Sequence, residues 1–362
     1  MLKNAFIFLG ALIITIIGLE VFLNFTRITP PTLKYYDKEY GSLNRPNIKY
    51  FKSVEGLMVG NTNYDGRFRE NYPFRKADKK TLRILLLGDS FVEGIDVFGQ
   101  NHFAQYLEDI LSKKLNRKVE VLNCGRGNAT LFTMSYYFIN YLSKNYDVDL
   151  VLILTDGRDI VDYGPGAGYP STSYTFDSAG NLARVTLWTN TPEYRLYNKL
   201  SRIPIVRYYD NSSYFRLLYR AVARTKINGI GEMTFGKLFE GPKAINYNSD
   251  TVRDTISDLT KKLYDTMNKF DKGQMIYLLR SKPTFSPAVL DYMKLKGYRY
   301  IDLTDTFSGF LIKGTKTDAY YFKATKTYGG HWNNDGHKAV GAYLANKIYD
   351  SINTYKMPGY EK

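Results

Sequence analysis

The chain carries a single cysteine, Cys124, in 362 residues. One thiol excludes an intramolecular disulfide framework and a zinc site built from several cysteines. Histidine is almost as scarce, with three in all, so chemistry that needs an imidazole has few residues to draw on. No metal-ligand spacing and no dinucleotide-binding fingerprint is present, and no cofactor is implied. There is no internal repeat of about 20 to 50 residues, which excludes a solenoid or propeller. The Gly-x-Ser-x-Gly elbow of one large hydrolase fold is missing too, because Val92 stands in its last position. Acid is in short supply: 35 Asp and Glu stand against 50 Lys and Arg, a net charge of +15. A surplus of that sign suggests an anionic partner, with nucleic acid, acidic glycan and lipid headgroups all open to it.

With 44% hydrophobic and 23% charged residues, the composition is close to the globular average and excludes a wholly disordered or fibrous chain. The length suits one large domain with an insertion. Residues 5–25 form the one long apolar run, interrupted only by Glu20 and Asn24. A helix of about 20 residues spans a bilayer, and no small-residue cleavage site follows, since the chain continues through Leu23, Phe25 and Arg27. Residues 1–26 are therefore read as an uncleaved membrane anchor. Glu20, near its outer end, reaches the interface. Lys3 precedes the run while Arg27, Lys34 and Lys38 follow it, so loop charge does not favour an exported C-terminal part. An anchor argues against nucleic acid as the partner.

Residues 27–80, rich in Pro, Tyr, Asn and Lys, show no sustained period and read as a lead-in that wraps the core. Beyond them the pattern alternates. Strands are expected at 82–87, 119–122, 150–154, 275–279 and 300–303, each a short apolar run. Amphipathic helices are expected from Phe103, Leu107, Ile110 and Leu111; from Val252 to Phe270; over 287–295; and from Val340, Leu344, Ile348 and Ile352. This predicts an α/β fold: a doubly wound parallel sheet of about five strands, with ligands at the C-terminal strand ends. The domain is made of residues 81–159 and 251–355. Residues 160–250 form a large insertion, with a hairpin near Asp177–Asn181 and a helix near Ser212–Lys226.

Three polar clusters fall at strand ends. Gly88-Asp89-Ser90 follows the first strand, where a serine hydroxyl is exposed and its N–H suits an oxyanion. Asn123-Cys124-Gly125-Arg126-Gly127-Asn128 follows the second, and its glycines let a backbone N–H approach a substrate. Taken alone, that loop reads equally well as a tight turn, and Cys124 reads as a small buried residue. His331-Trp332-Asn333-Asn334-Asp335-Gly336-His337 opens the last helix, with Asn333 or Asn334 as its cap. His331 is the candidate base for Ser90, while His102 and His337 suit structural roles.

In that order, these blocks resemble the SGNH (GDSL-like) hydrolase superfamily, in its membrane-anchored bacterial envelope type. The likeness covers about 57–159 and 251–352 and includes the lead-in text Asn63-Tyr64-Asp65-Gly66-Arg67-Phe68-Arg69. It implies a flavodoxin-like sheet, Ser90 as nucleophile, His331 as base, and the N–H groups of Ser90 and Gly127 as oxyanion donors. Asp89, Asn128, Asp159 and Asp335 are possible supporting residues. Two positions depart from the family pattern. Its third block reads Gly-x-Asn-Asp, whereas this chain has Asp156-Gly157-Arg158-Asp159, with Arg158 in place of the asparagine donor. The family's aspartate two or three residues before the histidine is replaced by Tyr328 and Gly329. Either a backbone carbonyl or an acid from elsewhere holds His331, or the machinery is impaired.

The resemblance further implies a single-pass membrane protein whose C-terminal part lies outside the cytoplasm, with an acylated glycan as substrate. Three functions follow: an esterase that removes acyl, foremost acetyl, groups; a polysaccharide O-acyltransferase using the same dyad; and a glycan-binding scaffold on a degenerate fold. In the insertion, Tyr163, Tyr169, Tyr174, Trp188 and Tyr194 suit sugar stacking or plain loop packing. Arg216, Arg220 and Arg224 share one helix face and suit an anionic lipid, an acidic glycan or solvent.

Overall fold

The computed structural model describes residues 2–26, 33–37, 39–52, 55–67, 72–76, 78–157, 172–187, 256–270, 274–307, 318–324 and 326–355, with isolated positions at 199, 212 and 214. Helix α1 (Leu2–Thr26) carries the long apolar run. Its segment Lys3–Leu23 is long and apolar enough to cross a membrane and leaves nearly all its surface exposed. The Glu20 carboxylate accepts hydrogen bonds from Ser212 Oγ at 2.7 Å and Tyr214 N at 2.9 Å.

The lead-in contains two short hairpins that its sequence did not reveal. Strands β1 (Lys34–Asp37) and β2 (Gly41–Asn44) pair antiparallel, as do β3 (Lys49–Lys52) and β4 (Met58–Asn61). Four residues per strand is too short for a period to register. The turns are built by side chains: Asp37 Oδ1 accepts from the N–H groups of Glu39 and Tyr40, and Asn63 Oδ1 from those of Asp65 and Arg67.

The core begins with β5 (Leu82–Leu87), followed by the one-turn helix α2 (Ser90–Glu93), α3 (Phe103–Leu115) and β6 (Val119–Asn123). Next come α4 (Leu131–Tyr137), β7 (Leu150–Thr155) and a hairpin, β8 (Thr172–Phe176) and β9 (Leu182–Leu187). The chain closes with α5 (Asp258–Lys269), β10 (Met275–Leu279), α6 (Pro287–Leu295), β11 (Tyr300–Asp302), the small pair β12 (Tyr321–Phe322) and β13 (Thr327–Tyr328), and α7 (Asn334–Tyr355). The central sheet runs β11-β10-β7-β5-β6, and its strands pair in parallel. Counted along the chain this is the flavodoxin-like order 2-1-3-4-5, whose switch point lies between β5 and β7. The expected doubly wound sheet is the one the chain forms.

Strands β5, β6, β7 and β10 are buried at every position, which is why they read as apolar runs, broken inside β5 only by Arg83 and inside β6 by Glu120. Along β5 the side chains alternate between two cores. Leu85 and Leu87 face a layer containing α4, α5 and α6; Leu82, Ile84 and Leu86 face one containing α3 and α7. Helix α4, with no counterpart in the sequence reading, continues into a π-helical turn at Phe138–Leu142. Its run is buried nearly all round, so it lacks the polar stripe that marks an amphipathic helix. The hairpin turns at Asp177–Asn181, where Asn181 N donates to Asp177 Oδ1 at 2.8 Å. Tyr174 is buried against Tyr136, with ring centroids 4.5 Å apart, and serves packing there. Trp188, Tyr163, Tyr169, Tyr194 and the arginines 216, 220 and 224 lie outside the described residues.

One polar side chain interrupts the apolar run of β5. Arg83 is fully buried, pairs with Glu120 Oε2 at 2.6 Å, and donates to the carbonyls of Pro73 and Phe74. It thereby clamps the end of the lead-in to the sheet. Arg83→Met leaves Glu120 buried with only Lys118 for company, and is expected to cost about 3 kcal/mol. A denaturant midpoint that does not move would contradict this role.

Candidate active site

Residues from four distant parts of the chain meet beyond the C-terminal ends of β5 and β6. Asp89 caps α2 by accepting from Phe91 N at 2.9 Å, which places Ser90 in the first turn. The Ser90 N–H makes no hydrogen bond among the described residues. Ahead of α7, Asn333 is the capping residue: its Oδ1 accepts from Gly336 N, and its amide donates to Asp318 O and Tyr321 O. Trp332 is fully buried beside Phe91, with ring centroids 4.9 Å apart. These two anchors hold His331 over the serine. Ser90 Oγ and His331 Nε2 lie 2.7 Å apart.

The acid missing from the sequence around His331 arrives from the lead-in. Glu55 Oε2 lies 2.8 Å from His331 Nδ1, across 276 residues of chain. Asp96 Oδ2 stands behind it at 3.5 Å, and Lys52 pairs with Asp96 Oδ1 at 2.7 Å. Two glycines make the approach possible. A Cβ on Gly329 would fall 2.6 Å from Glu55 Oε2, and a Cβ on Gly56 would fall 1.9 Å from Asp96 O. The gap left by Gly329, at a position where the family carries its aspartate, is thus filled by Glu55. That unusual glycine was the sequence signal for an acid arriving from elsewhere, although nothing local identified which one. Asp318 and Asp335, the acids nearest to His331 in sequence, are engaged with Tyr320 N and Lys323 respectively.

The carboxylates also set the charge of the ring. Burial pulls His331 down, but the hydrogen bond and charge of Glu55, together with the charge of Asp96, outweigh it and leave the imidazole above its ordinary value. The same hydrogen bond holds Glu55 below the usual carboxylate range. Glu55, Asp96 and His331 have the composition of a divalent-metal site, with ligand atoms within 4.8 Å of one another. Here Lys52 supplies the positive charge beside Asp96.

The other expected residues are placed differently. The Gly127 N–H donates to Glu93 Oε2 at 3.0 Å, so in this arrangement it is not free for an oxyanion. The glycine loop is in part turn chemistry, with Asn123 Oδ1 accepting from Gly125 N and Asn128 exposed at φ 63°. Cys124 is buried. Arg158 and Asp159 lie outside the described residues. Asp156, just before them, is buried and pairs with Arg280 at 2.8 Å. The Arg280 guanidinium lies 4.0 Å from the Phe91 ring centroid. Burial pushes the Asp89 carboxyl up, against the pull of Arg280. Glu55, Asp96, Lys52 and Arg280 all went unseen in the sequence reading. His102 caps α3 through Ala104 N, and His337 accepts from Phe103 N at 3.2 Å; burial pushes His337 down to about 3.

His331 and His337 therefore titrate differently. In a histidine-resolved NMR titration, His331 is expected to titrate above pH 6.5 and His337 to stay neutral to about pH 3. Glu55→Gln removes the main stabiliser of the imidazolium, so the His331 midpoint should fall. A midpoint unmoved by that substitution would exclude the Glu55 contact in solution.

No family profile and no curated protein sequence matches the chain. It is similar to solved structures at low identity. One is a lipolytic protein assigned to the G-D-S-L family from Desulfitobacterium hafniense DCB-2, at 12% identity and TM-score 0.31, covering 73% of this chain and 98% of that one. A second is the lipase/acylhydrolase from Enterococcus faecalis, at 12% identity and TM-score 0.34, covering 74% and 96%. A third is the acetyl xylan esterase AlAXEase, at 12% identity and TM-score 0.34, covering 75% and 100%. The strand order is that of a flavodoxin-like doubly wound sheet, with a serine turn after its first strand and a histidine just before the last helix.

Proposed function

We propose that the chain is a membrane-anchored serine esterase that removes acyl groups, acetyl foremost, from a glycan outside the cytoplasm. The observation that carries this reading is the continuous line from Ser90 Oγ to His331 Nε2 at 2.7 Å and from His331 Nδ1 to Glu55 Oε2 at 2.8 Å. A free serine hydroxyl is a weak nucleophile, and an adjacent, oriented imidazole corrects this. Ser90 Oγ attacks the ester carbonyl carbon as its proton passes to His331 Nε2. The bond from carbonyl carbon to sugar oxygen then breaks, and His331 returns the proton to the departing sugar hydroxyl. Water repeats the sequence on the acyl-enzyme, giving a free carboxylic acid and restoring Ser90. Glu55 fixes the ring so that Nε2 faces the serine, and it stabilises the imidazolium that forms in each half-reaction.

The negative oxygen of the tetrahedral intermediate is taken by the Ser90 N–H at the start of α2. Gly127 joins only when Glu93 releases it. The glycan substrate and the exported location come with the resemblance of the three blocks and with the apolar helix at the N-terminus. The absent local aspartate and Arg158 in place of the asparagine were the arguments for an inert scaffold, and the Glu55 contact weighs against the first of them.

In detergent micelles the full chain is expected to hydrolyse p-nitrophenyl acetate, and Ser90→Ala to lose at least about 10³-fold in kcat. Equal rates for the two proteins would sink the proposal. The base must be neutral to accept a proton, so activity should rise with pH through the raised His331 value, placing the acid limb above pH 6.5. In Glu55→Gln, kcat should fall by as much as about 10⁴, and the acid limb should move to lower pH.

A further inference from the structure

Beside the catalytic helix lies a cavity of about 190 Å³ that the ester chemistry does not use. Its wall includes Glu93, three residues after Ser90 on α2, and Gly125 of the loop after β6. The opposite wall comes from the lead-in. Tyr40, Tyr137 and Tyr141 form one aromatic group lining it, with ring centroids 5.2 to 5.5 Å apart.

The charged groups around the cavity already have partners. Asp65 accepts from Arg67 and from the hydroxyls of Tyr141 and Tyr146, and Asp37 accepts from backbone N–H groups. Arg126 donates to the carbonyls of Tyr40 and Thr133 and covers the Tyr137 ring at 4.3 Å. The lining sets the carboxylates of Asp37, Asp65 and Glu93 against the guanidiniums of Arg67 and Arg126, so it offers an anion no surplus of positive charge. Aliphatic lining is limited to Leu43 and Pro46, too little for an acyl chain. One acceptor, by contrast, lacks a donor among the described residues, and a second has only a long contact to a cation. Asn44 Oδ1 is buried without a hydrogen bond, and Glu93 Oε1 has only the Lys34 ammonium, at 3.3 Å.

Tyrosine faces, charges already partnered and acceptors awaiting a donor match a neutral polyhydroxyl ring, with C–H groups on its faces and O–H donors on its rim. A cavity of that size has room for a sugar ring. We propose that this cavity is a subsite for a single neutral pyranose unit of the substrate glycan, with Asn44 and Glu93 accepting from its hydroxyls. The proposal rests on the esterase reading for its substrate, but its binding test does not depend on turnover.

The test uses the full chain in detergent micelles, with Ser90→Ala to prevent turnover and acetylated xylopentaose and mannopentaose as probes in calorimetric titration. Binding of at least one probe is expected. Asn44→Leu, which removes the acceptor, should weaken it about tenfold or more, whereas Asn44→Asp, which keeps an acceptor, should stay within about threefold. With Ser90 intact, Asn44→Leu should leave p-nitrophenyl acetate hydrolysis unchanged and raise KM for the acetylated oligosaccharide. Binding of neither probe, or binding indifferent to Asn44→Leu, overturns the subsite even if the simple ester is cleaved. Equal losses on both substrates in both variants would make Asn44 structural and overturn it too. A chain that binds the oligosaccharide through Asn44 but cleaves no ester would keep the subsite and remove the esterase reading.

Discussion

The site is held together by one hydrogen bond, between His331 Nδ1 and Glu55 Oε2, and much of the structure around it serves to bring those atoms within reach. Glu55 sits in a lead-in whose own strands are too short to stand alone. That segment is pinned at successive points along the core: the Arg83 guanidinium on the Pro73 and Phe74 carbonyls, the Arg126 guanidinium on the Tyr40 carbonyl, and the Lys52 ammonium on Asp96. Each pin is a charged donor, and charge-assisted bonds of this kind are directional as well as strong. A covering segment fixed this way becomes part of the active site instead of packing over it.

The same pins keep the electrostatics in balance. Two carboxylates against one imidazole would, unopposed, favour the imidazolium and leave a poor base. Lys52 works against them from the far side of Asp96, and burial of the ring adds to its effect. The ring is thereby raised only as far as the competition allows. Asp89 shows the converse: a buried acid beneath the nucleophile, offset by Arg280, which also neutralises Asp156. Near Ser90, then, acids are set against cations, Asp96 against Lys52 and Asp156 against Arg280, within a chain of net charge +15.

How far the sequence discloses this depends on how local each signal is. The buried strands of the sheet were legible because both faces are covered, so each is an almost wholly apolar run of nearly its true length. Ser90 and His331 were legible because each lies at a strand or helix end with its own turn chemistry. Helix α4 was not, since burial on every side removes the polar stripe that marks a helix. Glu55 was not legible either. Its role depends on a contact between segments 276 residues apart, and no period or spacing encodes such a contact. Only Gly329 hinted at it, as a residue whose missing side chain leaves room for another. Gly127 shows a related limit. Its backbone suits an oxyanion, but whether the N–H is free depends on Glu93, which belongs to another element.

The separation of Glu55 from His331 also bears on when the protein can act. During synthesis the orienting acid emerges among the earliest soluble residues, while the base emerges near the end of the chain. Until His331 has been made and α7 has docked, the serine has no partner, and a nascent or truncated chain carries an inert hydroxyl. The order of the chain thus sets the order in which the Ser90, His331 and Glu55 contacts can form, and the last of them waits for the C-terminal helix.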